Sequence, residues 1–380
     1  MMRLTGLSLR DFRGYAAATV NLGDGLTVIS GANGAGKTNL LEAVYFGCTG
    51  RSCRTNNERE LLRFSAQVAR VVVTAEGEDG AHELAVGFEP GRPKRMSVDG
   101  APVERMLDVP DRPLISVFLP DRLELLKGAP TLRRAHLDQV IAALWPSRVG
   151  TRRNYAQALA QRNALIARLR SGSGSRDSLA TWDAQLARHG VALMSDRREA
   201  AGELRERFRT LATELGLGGD PSLEYRPRSS AQSELELAAE LEERRDADLD
   251  RGFTGHGPHR DDLVLRREGR DLRAYGSQGQ QRLALLSLLL AEREAIAGQR
   301  TGPPVMLLDD VMSELDSNRR RSLVDLLRST PGQSVITTTD LEHVPGAGDP
   351  DVTRVAVAEG RILQEVFGGL PSTVGEGSHA

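Results

Sequence analysis

Gly31-Ala32-Asn33-Gly34-Ala35-Gly36-Lys37-Thr38 is the stretch of this 380-residue sequence that decides its fold. It matches the phosphate-binding pattern G-x-x-x-x-G-K-[ST], with a strand pattern before it and a helix pattern after it. The glycines allow backbone N–H groups to surround a phosphate, and the following helix turns its N-terminus toward the same anion. The stretch predicts an α/β fold with a nucleotide site at residues Gly31 to Asn39, where Lys37 reaches the outer phosphates and Thr38 ligates Mg²⁺.

A second apolar run, at residues 305–308, ends in two carboxylates, Asp309 and Asp310. In P-loop ATPases such a strand lies beside the strand of the phosphate loop, and its first acid holds Mg²⁺ in the outer coordination shell. The second acid orients the attacking water. We therefore expect Lys37, Asp309 and Asp310 to be catalytic, with Thr38 and Asp309 as the metal site. Asp310 is one methylene shorter than the more usual glutamate, so we expect slow hydrolysis.

Downstream, Ser277-Gln278-Gly279-Gln280 leads directly into a long apolar helix pattern. Ser277 is a natural N-cap, and the stretch resembles the signature of ABC ATPases. In those proteins the signature contacts the nucleotide of the opposite subunit, so that two chains enclose two ATP molecules head to tail. Residues 313–316 resemble the D-loop that crosses the same interface, with Asp316 at its end. A plain helix cap is the alternative interpretation of Ser277.

The opening of the chain, at residues 7–15, resembles the N-terminus of the SMC, RecN and RecF group, and Arg13 within it is assigned to the nucleotide site. Three further regions resemble the RecF family in particular. They are residues 118–121 with 125–128 and Arg133-Arg134, then residues 257–262, then residues 308–316. Together with the phosphate loop they follow the family's order along most of the chain.

The resemblance implies an α/β fold of the ABC-type ATPase head, with a P-loop core and an antiparallel β-subdomain, built from residues 1–130 and 250–380. A mainly helical second lobe would be inserted at residues 131–249. The apolar spacing of residues 154–169 and 179–215, around a Ser-Gly turn, independently predicts an antiparallel helical hairpin in that lobe.

The same resemblance implies a function. A homodimer that forms on binding ATP and Mg²⁺ would bind double-stranded DNA and gap junctions, and with RecO and RecR it would help to load RecA. Hydrolysis would be slow, stimulated by DNA, and used as a conformational switch.

Two elements of an ABC ATPase are weak in this sequence. Thr339 occupies the position of the switch histidine, and no Q-loop glutamine is evident, although Asp121 lies near its place. These departures disfavour a transporter or a translation-associated ABC ATPase. The 240 residues between Lys37 and Ser277 are too few for the long coiled coil of an SMC-like tether. An ATP-gated adaptor that does not contact DNA is the alternative that the sequence leaves open.

The formal net charge is −2, so DNA binding would depend on local basic surfaces. Residues 148–209 contain 13 arginines against 6 acidic residues. The candidate DNA contacts are Arg152, Arg153, Arg197 and Arg198 in this segment, with Arg133 and Arg134 as a second surface. Two solvated helix faces are the simpler explanation of the same charge pattern.

The sequence also argues against a membrane span and against a metal site on its cysteines or histidines. It has neither an apolar run near the roughly 20 residues of a membrane span nor a leader with a cleavage site, so we expect a cytoplasmic protein without a membrane partner. Cys48 and Cys53 lack a second pair at zinc spacing. Near His256 and His259, Pro258 favours a hydrogen-bonded corner over a metal site.

Overall fold

The computed structural model describes residues 2–109, 112–300, 302–367 and 370–372. The chain divides into two compact units, Met1–Asp121 with Arg300–Ala380, and Arg122–Gln299. The expected divisions, after residues 130 and 249, differ from these. The segment that ends at residue 299 joins the second unit because helix Gln278–Gln299 packs against helices Pro130–Leu144 and Ser178–Glu214. The second unit is therefore larger than the expected lobe.

The elements follow one another in three groups along the chain. The first group is β1 (Arg3–Phe12), β2 (Tyr15–Asn21), β3 (Leu26–Ser30), α1 (Lys37–Thr49), β4 (Ala69–Gly77), β5 (Gly80–Phe88), β6 (Arg95–Val98), β7 (Ala101–Val103) and β8 (Ile115–Phe118). The second group is α2 (Glu124–Lys127), α3 (Pro130–Leu144), α4 (Val149–Arg170), α5 (Ser178–Glu214), β9 (Ser222–Arg226), α6 (Glu234–Glu243), α7 (Arg245–Arg251), β10 (Asp262–Arg267), β11 (Arg270–Asp271), α8 (Leu272–Tyr275) and α9 (Gln278–Gln299). The third group, which returns to the first unit, is β12 (Val305–Leu308), α10 (Ser317–Ser329), β13 (Ser334–Thr338), β14 (Thr353–Ala358), β15 (Arg361–Phe367) and β16 (Leu370–Ser372).

A seven-stranded sheet positions the phosphate loop in the first unit. Its order is β16-β15-β14-β3-β13-β12-β8, and the strands from β14 to β8 are parallel. The expectation that β12 lies next to β3 is wrong. The buried strand β13 lies between them, because Ile336 pairs with Val28 on one side and with Leu308 on the other. The carboxyl ends of all three strands still meet at one edge, where the phosphate loop begins.

A six-stranded antiparallel sheet, in the order β2-β1-β4-β5-β6-β7, forms a second layer of this unit. This sheet is the antiparallel β-subdomain that the family resemblance implies. Leu9, Val71 and similar inward residues are buried and pack with α1 against the first sheet in one hydrophobic core. This packing fixes α1, and with it the loop that precedes the helix.

In the second unit, α4 and α5 form the predicted helical hairpin. Their facing residues run in opposite directions, since Arg162 on α4 bonds Asp183 on α5 while the earlier Arg148 bonds the later Asp196. Arg162 is fully buried, and it also donates to Asp248 and to the Thr254 hydroxyl at 2.7 Å each. A buried charge is tolerated when it is paired and hydrogen-bonded in this way. The helices described here include none that is both long and apolar enough to cross a membrane.

Candidate nucleotide site

The loop between β3 and α1 is shaped to surround an anion with backbone groups. Gly34 and Gly36 have φ angles of 80° and 113°, which side chains with a Cβ rarely adopt. A Cβ at Gly36 would also lie 2.7 Å from the hydroxyl of Tyr15, which donates to the Gly36 carbonyl. Because α1 begins at Lys37, the helix N-terminus faces the same space as the loop.

The Lys37 side chain is folded over this loop. Its Nζ donates to the carbonyl oxygens of Gly31 at 2.7 Å and Ala32 at 2.9 Å, and only 7% of the residue is exposed. Burial lowers the pKa of the ammonium group, while the charges of Asp310 and Asp309 oppose that shift. The ammonium group therefore lies within electrostatic reach of both acids at the end of β12.

Asp309 connects the end of β12 to the phosphate loop. Both of its carboxylate oxygens lie 2.9 Å from the Thr38 hydroxyl, which donates to them. The Thr337 hydroxyl donates to Oδ1 at 2.6 Å. The structure thus brings Thr38 and Asp309 together and adds Thr337, which sequence analysis missed. The signal was the neighbouring strand β13, on which Thr337 directly follows the partner of Leu308.

Asp310 has an unusual backbone and an unsatisfied carboxylate oxygen. Its φ angle is 46°, its N–H donates to the Thr337 hydroxyl at 2.9 Å, and the Ser313 hydroxyl lies 3.0 Å from Oδ2. Oδ1 is buried and has no hydrogen-bond partner among the described residues. Buried polar atoms without a partner are uncommon, and non-glycine residues with positive φ cluster at functional sites. The free Oδ1 is able to accept a hydrogen bond from a bound water.

The oxygen atoms at this edge of the sheet fit Mg²⁺. That ion prefers hard oxygen ligands and is commonly held by one or two carboxylates together with substrate phosphates. The hydroxyl of Thr38 and the carboxylate of Asp309 supply this chemistry within hydrogen-bond distance of each other. Thr38 would be the direct ligand, and Asp309 would act from the outer shell.

Arg13 and Asn39, also assigned to the nucleotide site, take part in a charge cluster on the side of α1. Arg13 Nε and Nη2 each donate to the carboxylate of the fully buried Glu42 at 2.8 Å. Arg54 donates to the Asn39 side chain at 3.1 Å and to Glu42 at 3.3 Å. The two guanidinium groups thus balance a buried charge. Nucleotide contact by Arg13 and Asn39 stays a prediction.

Thr339 and Asp121 are the two positions at which the sequence departs from the ABC ATPase pattern. Thr339 follows β13 and is exposed, whereas Thr337, two residues earlier, carries the hydroxyl that reaches the acids. Asp121 lies in the short 3-10 helix Pro120–Leu123, and its side chain is outside the described part of the structure. The role of Thr339 as a switch residue is still a prediction.

Ser277 caps α9 in the second unit, as the sequence predicted. Its Oγ accepts from the Gln280 N–H at 3.3 Å, and Gln280 Oε1 accepts from the Ser277 N–H at 2.9 Å. This reciprocal pair is a capping box. Ser277, Gln278 and Gly279 are exposed, and a Cβ at Gly279 would meet no atom within 4 Å. The N-terminus of α9 is therefore open to approach by a partner.

Asp316 caps α10 in the first unit. Its Oδ1 accepts from the Arg319 N–H at 2.9 Å, and 55% of its side chain is exposed. The residue expected at an interface between two chains is thus at the surface, and it also has a structural role within one chain.

Comparison with known proteins identifies the family. Residues 3–362 match the family described as RecF/RecN/SMC N terminal domain. The DNA replication and repair protein RecF of Anaeromyxobacter sp. (strain Fw109-5) is 39% identical, over 95% of this chain and 99% of the relative. This chain belongs to the RecF family. The protein of that name from Myxococcus xanthus (strain DK1622) is 37% identical over 95% of this chain and 97% of its own length.

A solved RecF structure agrees with the RecF assignment, and a solved Smc head domain shares the fold. A structure described as the recombination mediator protein RecF with ATP in the RecFOR pathway has a TM-score of 0.82 at 28% identity, covering 96% of this chain and 98% of that chain. The Smc head domain with an extended coiled coil from Pyrococcus furiosus, bound to the C-terminal domain of ScpA, has a TM-score of 0.61 at 17% identity, covering 97% of each chain. The ABC/SMC-type α/β head fold predicted from the sequence is confirmed.

Two of the six arginines assigned to DNA contact are buried in this RecF-family chain, and their burial argues against the assignment. Arg133 is 5% exposed and pairs with both carboxylate oxygens of Asp262, at 2.7 and 2.9 Å. Arg197 is 3% exposed and donates to Asp138 at 2.8 and 3.1 Å and to the Pro258 carbonyl at 2.7 Å. Phosphate contact would break these buried ion pairs, whose acidic partners are distant in sequence.

The other four arginines are accessible to different degrees. Arg134 is half-buried, donates to a backbone carbonyl at 2.8 Å, and has a pKa lowered by burial. The Arg152 side chain is 62% exposed. Arg153 and Arg198 are exposed. The hairpin therefore offers Arg152, Arg153 and Arg198 as candidate DNA contacts, which stay predictions.

The segment around Pro258 is the hydrogen-bonded corner that the sequence favoured. His259 Nε2 lies 2.9 Å from the Thr254 carbonyl, so it carries the proton, and His259 Nδ1 accepts from the Tyr155 hydroxyl at 2.7 Å. His256 Nε2 lies 2.5 Å from the Glu240 carboxylate. Burial lowers the pKa of His259 to about 4. The corner therefore contains a neutral, doubly hydrogen-bonded histidine.

Proposed function

We propose that this chain is an ATP-dependent recombination mediator that binds double-stranded DNA near single-strand gaps. With RecO and RecR it helps to load RecA in the cytoplasm. The observation that carries the proposal is the hydrogen bond from the Thr38 hydroxyl to the Asp309 carboxylate, which joins the phosphate loop to the acidic end of β12. The relatives, which are named as DNA replication and repair proteins, support the rest.

ATP binds along residues 31–39 in this proposal. Its phosphates replace the carbonyl oxygens of Gly31 and Ala32 as partners of the Lys37 ammonium group, which is already positioned over the loop. When bound, Mg²⁺ would neutralise charge on the outer phosphates. Thr38 and Asp309 would hold that ion, and Thr337 keeps the Asp309 carboxylate in place.

Asp310 orients the water for hydrolysis. One of its oxygens is fixed by Ser313, and the other is buried and free to accept a hydrogen bond. Because the side chain of aspartate is shorter than that of glutamate, it orients the attacking water less well, and ATP hydrolysis is slow. DNA stimulates this turnover, and hydrolysis resets the switch.

Two chains associate head to tail around two ATP molecules. The exposed N-terminus of α9, with Ser277 to Gln280, contacts the nucleotide of the partner, since a capped but accessible helix start is suited to bind phosphate. Asp316 lies at the same interface. ATP therefore controls assembly, and assembly brings the DNA-binding surfaces of two chains together.

DNA binding by the purified protein tests the proposal. Fluorescence anisotropy of a gapped duplex is measured with Mg-ATP, with Mg-ADP and without nucleotide, for the parent chain and for Lys37→Ala. Binding should be strong only for the parent with Mg-ATP. If the parent shows no ATP-stimulated DNA binding, the proposal fails and the ATP-gated adaptor without DNA contact is favoured.

A further inference from the structure

The outward face of the six-stranded antiparallel sheet carries a transverse row of arginines. Strand pairing places Arg10 opposite Arg70, Arg70 opposite Gly87, and Gly87 opposite Arg95. Residues directly opposite each other in antiparallel strands have side chains on the same face. The three guanidinium groups therefore share one face, and it is the face opposite to the core, because the adjacent Leu9 is buried.

The described residues of the unit do not neutralise this row. Like charges directly opposite each other destabilise a sheet, and Arg10 and Arg70 form such a pair. Arg10 and Arg95 form no ion pair with any residue that the structure describes. The nearest carboxylate to Arg70 is that of Glu83 at 3.8 Å, and both side chains are more than half exposed, so the pair contributes little. The face thus keeps a positive charge that an anionic partner would satisfy.

The transverse row next to the arginines consists of small or short side chains, which would not block a wide partner. They are Thr19, Ser8, Val72, Ala85 and Ser97. Arg10 and Arg95 are three strand positions apart, which at about 4.8 Å per strand is about 14 Å. A DNA duplex presents a phosphate on each strand about every 3.4 Å along its axis, so this distance covers about four base pairs.

We propose that this outward sheet face binds the phosphate backbone of double-stranded DNA, with Arg10, Arg70 and Arg95 as the contacts. The inference rests on the proposed DNA-binding function and names a surface for it on the first unit. Short side chains around the arginines do not reach base edges, so the contact is independent of sequence. A face with charges in one row is suited to the side of a regular duplex.

Salt dependence of duplex binding tests the surface. Each arginine that no longer binds a phosphate should reduce the slope of log affinity against log salt by about 0.9, so Arg10→Ala/Arg70→Ala/Arg95→Ala should reduce it by about 2.7 per protomer. The control, Arg105→Ala/Arg321→Ala/Arg361→Ala, removes the same charge from exposed arginines elsewhere in the unit. It should leave the slope near that of the parent. Mg-ATP binding should match the parent in both variants, and neither should unfold at a lower temperature than the parent, since the triple sheet variant removes the repulsion between Arg10 and Arg70.

A gain of function provides an independent test. A Cβ at Gly87 would lie 3.8 Å from its nearest neighbour, which is ordinary contact distance. Gly87→Lys should therefore fold, fill the gap in the row, and steepen the slope by about 0.9 per protomer. Gly87→Ala should not change it.

The possible results distinguish a failure of the proposed function from a failure of the proposed sheet surface. If the parent does not bind duplex DNA with ATP, the proposed function fails and this surface fails with it. If the parent binds DNA but the triple alanine variant and Gly87→Lys both keep its slope, only the sheet surface is refuted. A shallower slope in the triple variant and a steeper one in Gly87→Lys, with the control unchanged, support the assignment.

Discussion

Thr337 shows how one hydroxyl organises the site. It donates to the Asp309 carboxylate and accepts from the Asp310 N–H. One side chain therefore contacts both the acid assigned to Mg²⁺ and the acid assigned to the attacking water. The sequence motifs identify the two acids because their chemistry is tied to a strand end next to a phosphate loop. They do not identify Thr337, because its role depends on which strand lies between β3 and β12.

Two substitutions of Lys37 test nucleotide binding and ATP hydrolysis separately. Lys37→Ala should abolish nucleotide binding with little loss of stability, because among the described residues its ammonium group donates only to two loop carbonyls. Lys37→Arg should bind ATP but hydrolyse it poorly, since a planar guanidinium group fits the loop badly. Calorimetry with ATP and phosphate release measure the two effects. Normal ATPase activity in either variant would refute the site.

Asp310 and Thr337 should differ from Lys37 in their effects. Asp310→Asn should bind Mg-ATP, form dimers and stall, because the water-orienting charge is lost while Asp309 is intact. Thr337→Val should bind ATP and turn over more slowly than the parent, because both acids lose a hydrogen bond. Phosphate release and light scattering under saturating ATP measure these outcomes. Monomers, or an unchanged turnover, would contradict the assigned roles.

His259 makes stability depend on pH. Burial lowers its pKa from 6.5 to about 4, so between these values the unfolded chain takes up a proton that the folded chain does not. The contribution of His259 to the free energy of unfolding therefore keeps its full value above pH 6.5. It falls by at most about 3 kcal/mol as the pH falls toward 4. His259→Asn lacks this titration. The gap in unfolding free energy between parent and variant should therefore be largest at pH 7 and shrink at lower pH; a constant gap would show that His259 titrates normally.

At the scale of elements, the sequence predicts what local patterns control. The helix after Lys37 and the α4–α5 hairpin follow from turn residues and periodicity, the β-subdomain follows from the family resemblance, and all are present. The strand order does not follow, because β13 occupies its place through pairing with residues more than 300 positions earlier. The ion pair between Arg133 and Asp262 could not be predicted for the same reason, because its members lie 129 residues apart.

The N-terminus of α9 is the element whose role is most open to test. Ser277→Asp keeps a good N-cap but places a negative charge where a phosphate is proposed to bind. Ser277→Arg removes the cap, at about 1 kcal/mol, and adds bulk. Both should bind Mg-ATP and remain monomeric in light scattering, whereas the parent dimerises.

Ser233 provides the matched control for this change. Its side chain caps α6 in the same unit by accepting from the Glu236 N–H. Ser233→Asp should dimerise with ATP like the parent. A dimer of the parent that forms without nucleotide, or that Ser277→Asp does not affect, would leave Ser277 as a helix cap alone.

At the scale of the whole molecule, the positions of the arginines in the sequence do not show which of them are exposed to solvent. The arginine-rich segment 148–209 contributes buried side chains to the core of the second unit as well as exposed ones. Arg162 and Arg197 are within ion pairs, while Arg152, Arg153 and Arg198 reach solvent. Composition alone could not separate these groups, because three of the four acids that pair with the two buried arginines, Asp138, Asp248 and Asp261, lie outside the segment.

The helical hairpin therefore makes a narrower prediction about DNA. Arg152→Glu/Arg153→Glu/Arg198→Glu should weaken ATP-dependent duplex binding and flatten its salt dependence, by about 0.9 in slope for each arginine that had bound a phosphate. Mg-ATP binding should be unchanged. Few aromatic residues accompany these arginines, so base stacking should contribute little and duplex should be preferred to single strands.

Two controls make this test specific. Arg228→Glu/Arg251→Glu/Arg270→Glu imposes the same charge change on exposed arginines elsewhere in the second unit and should bind DNA more tightly than the hairpin variant. Arg197→Glu should destabilise the unit, because it places a negative charge against the buried carboxylates of Asp138 and Asp261, so its DNA binding reports folding rather than contact. If the hairpin variant binds duplex DNA like the parent while the Arg10, Arg70 and Arg95 variant does not, the sheet face of the first unit carries the contact and the hairpin arginines are a solvated surface.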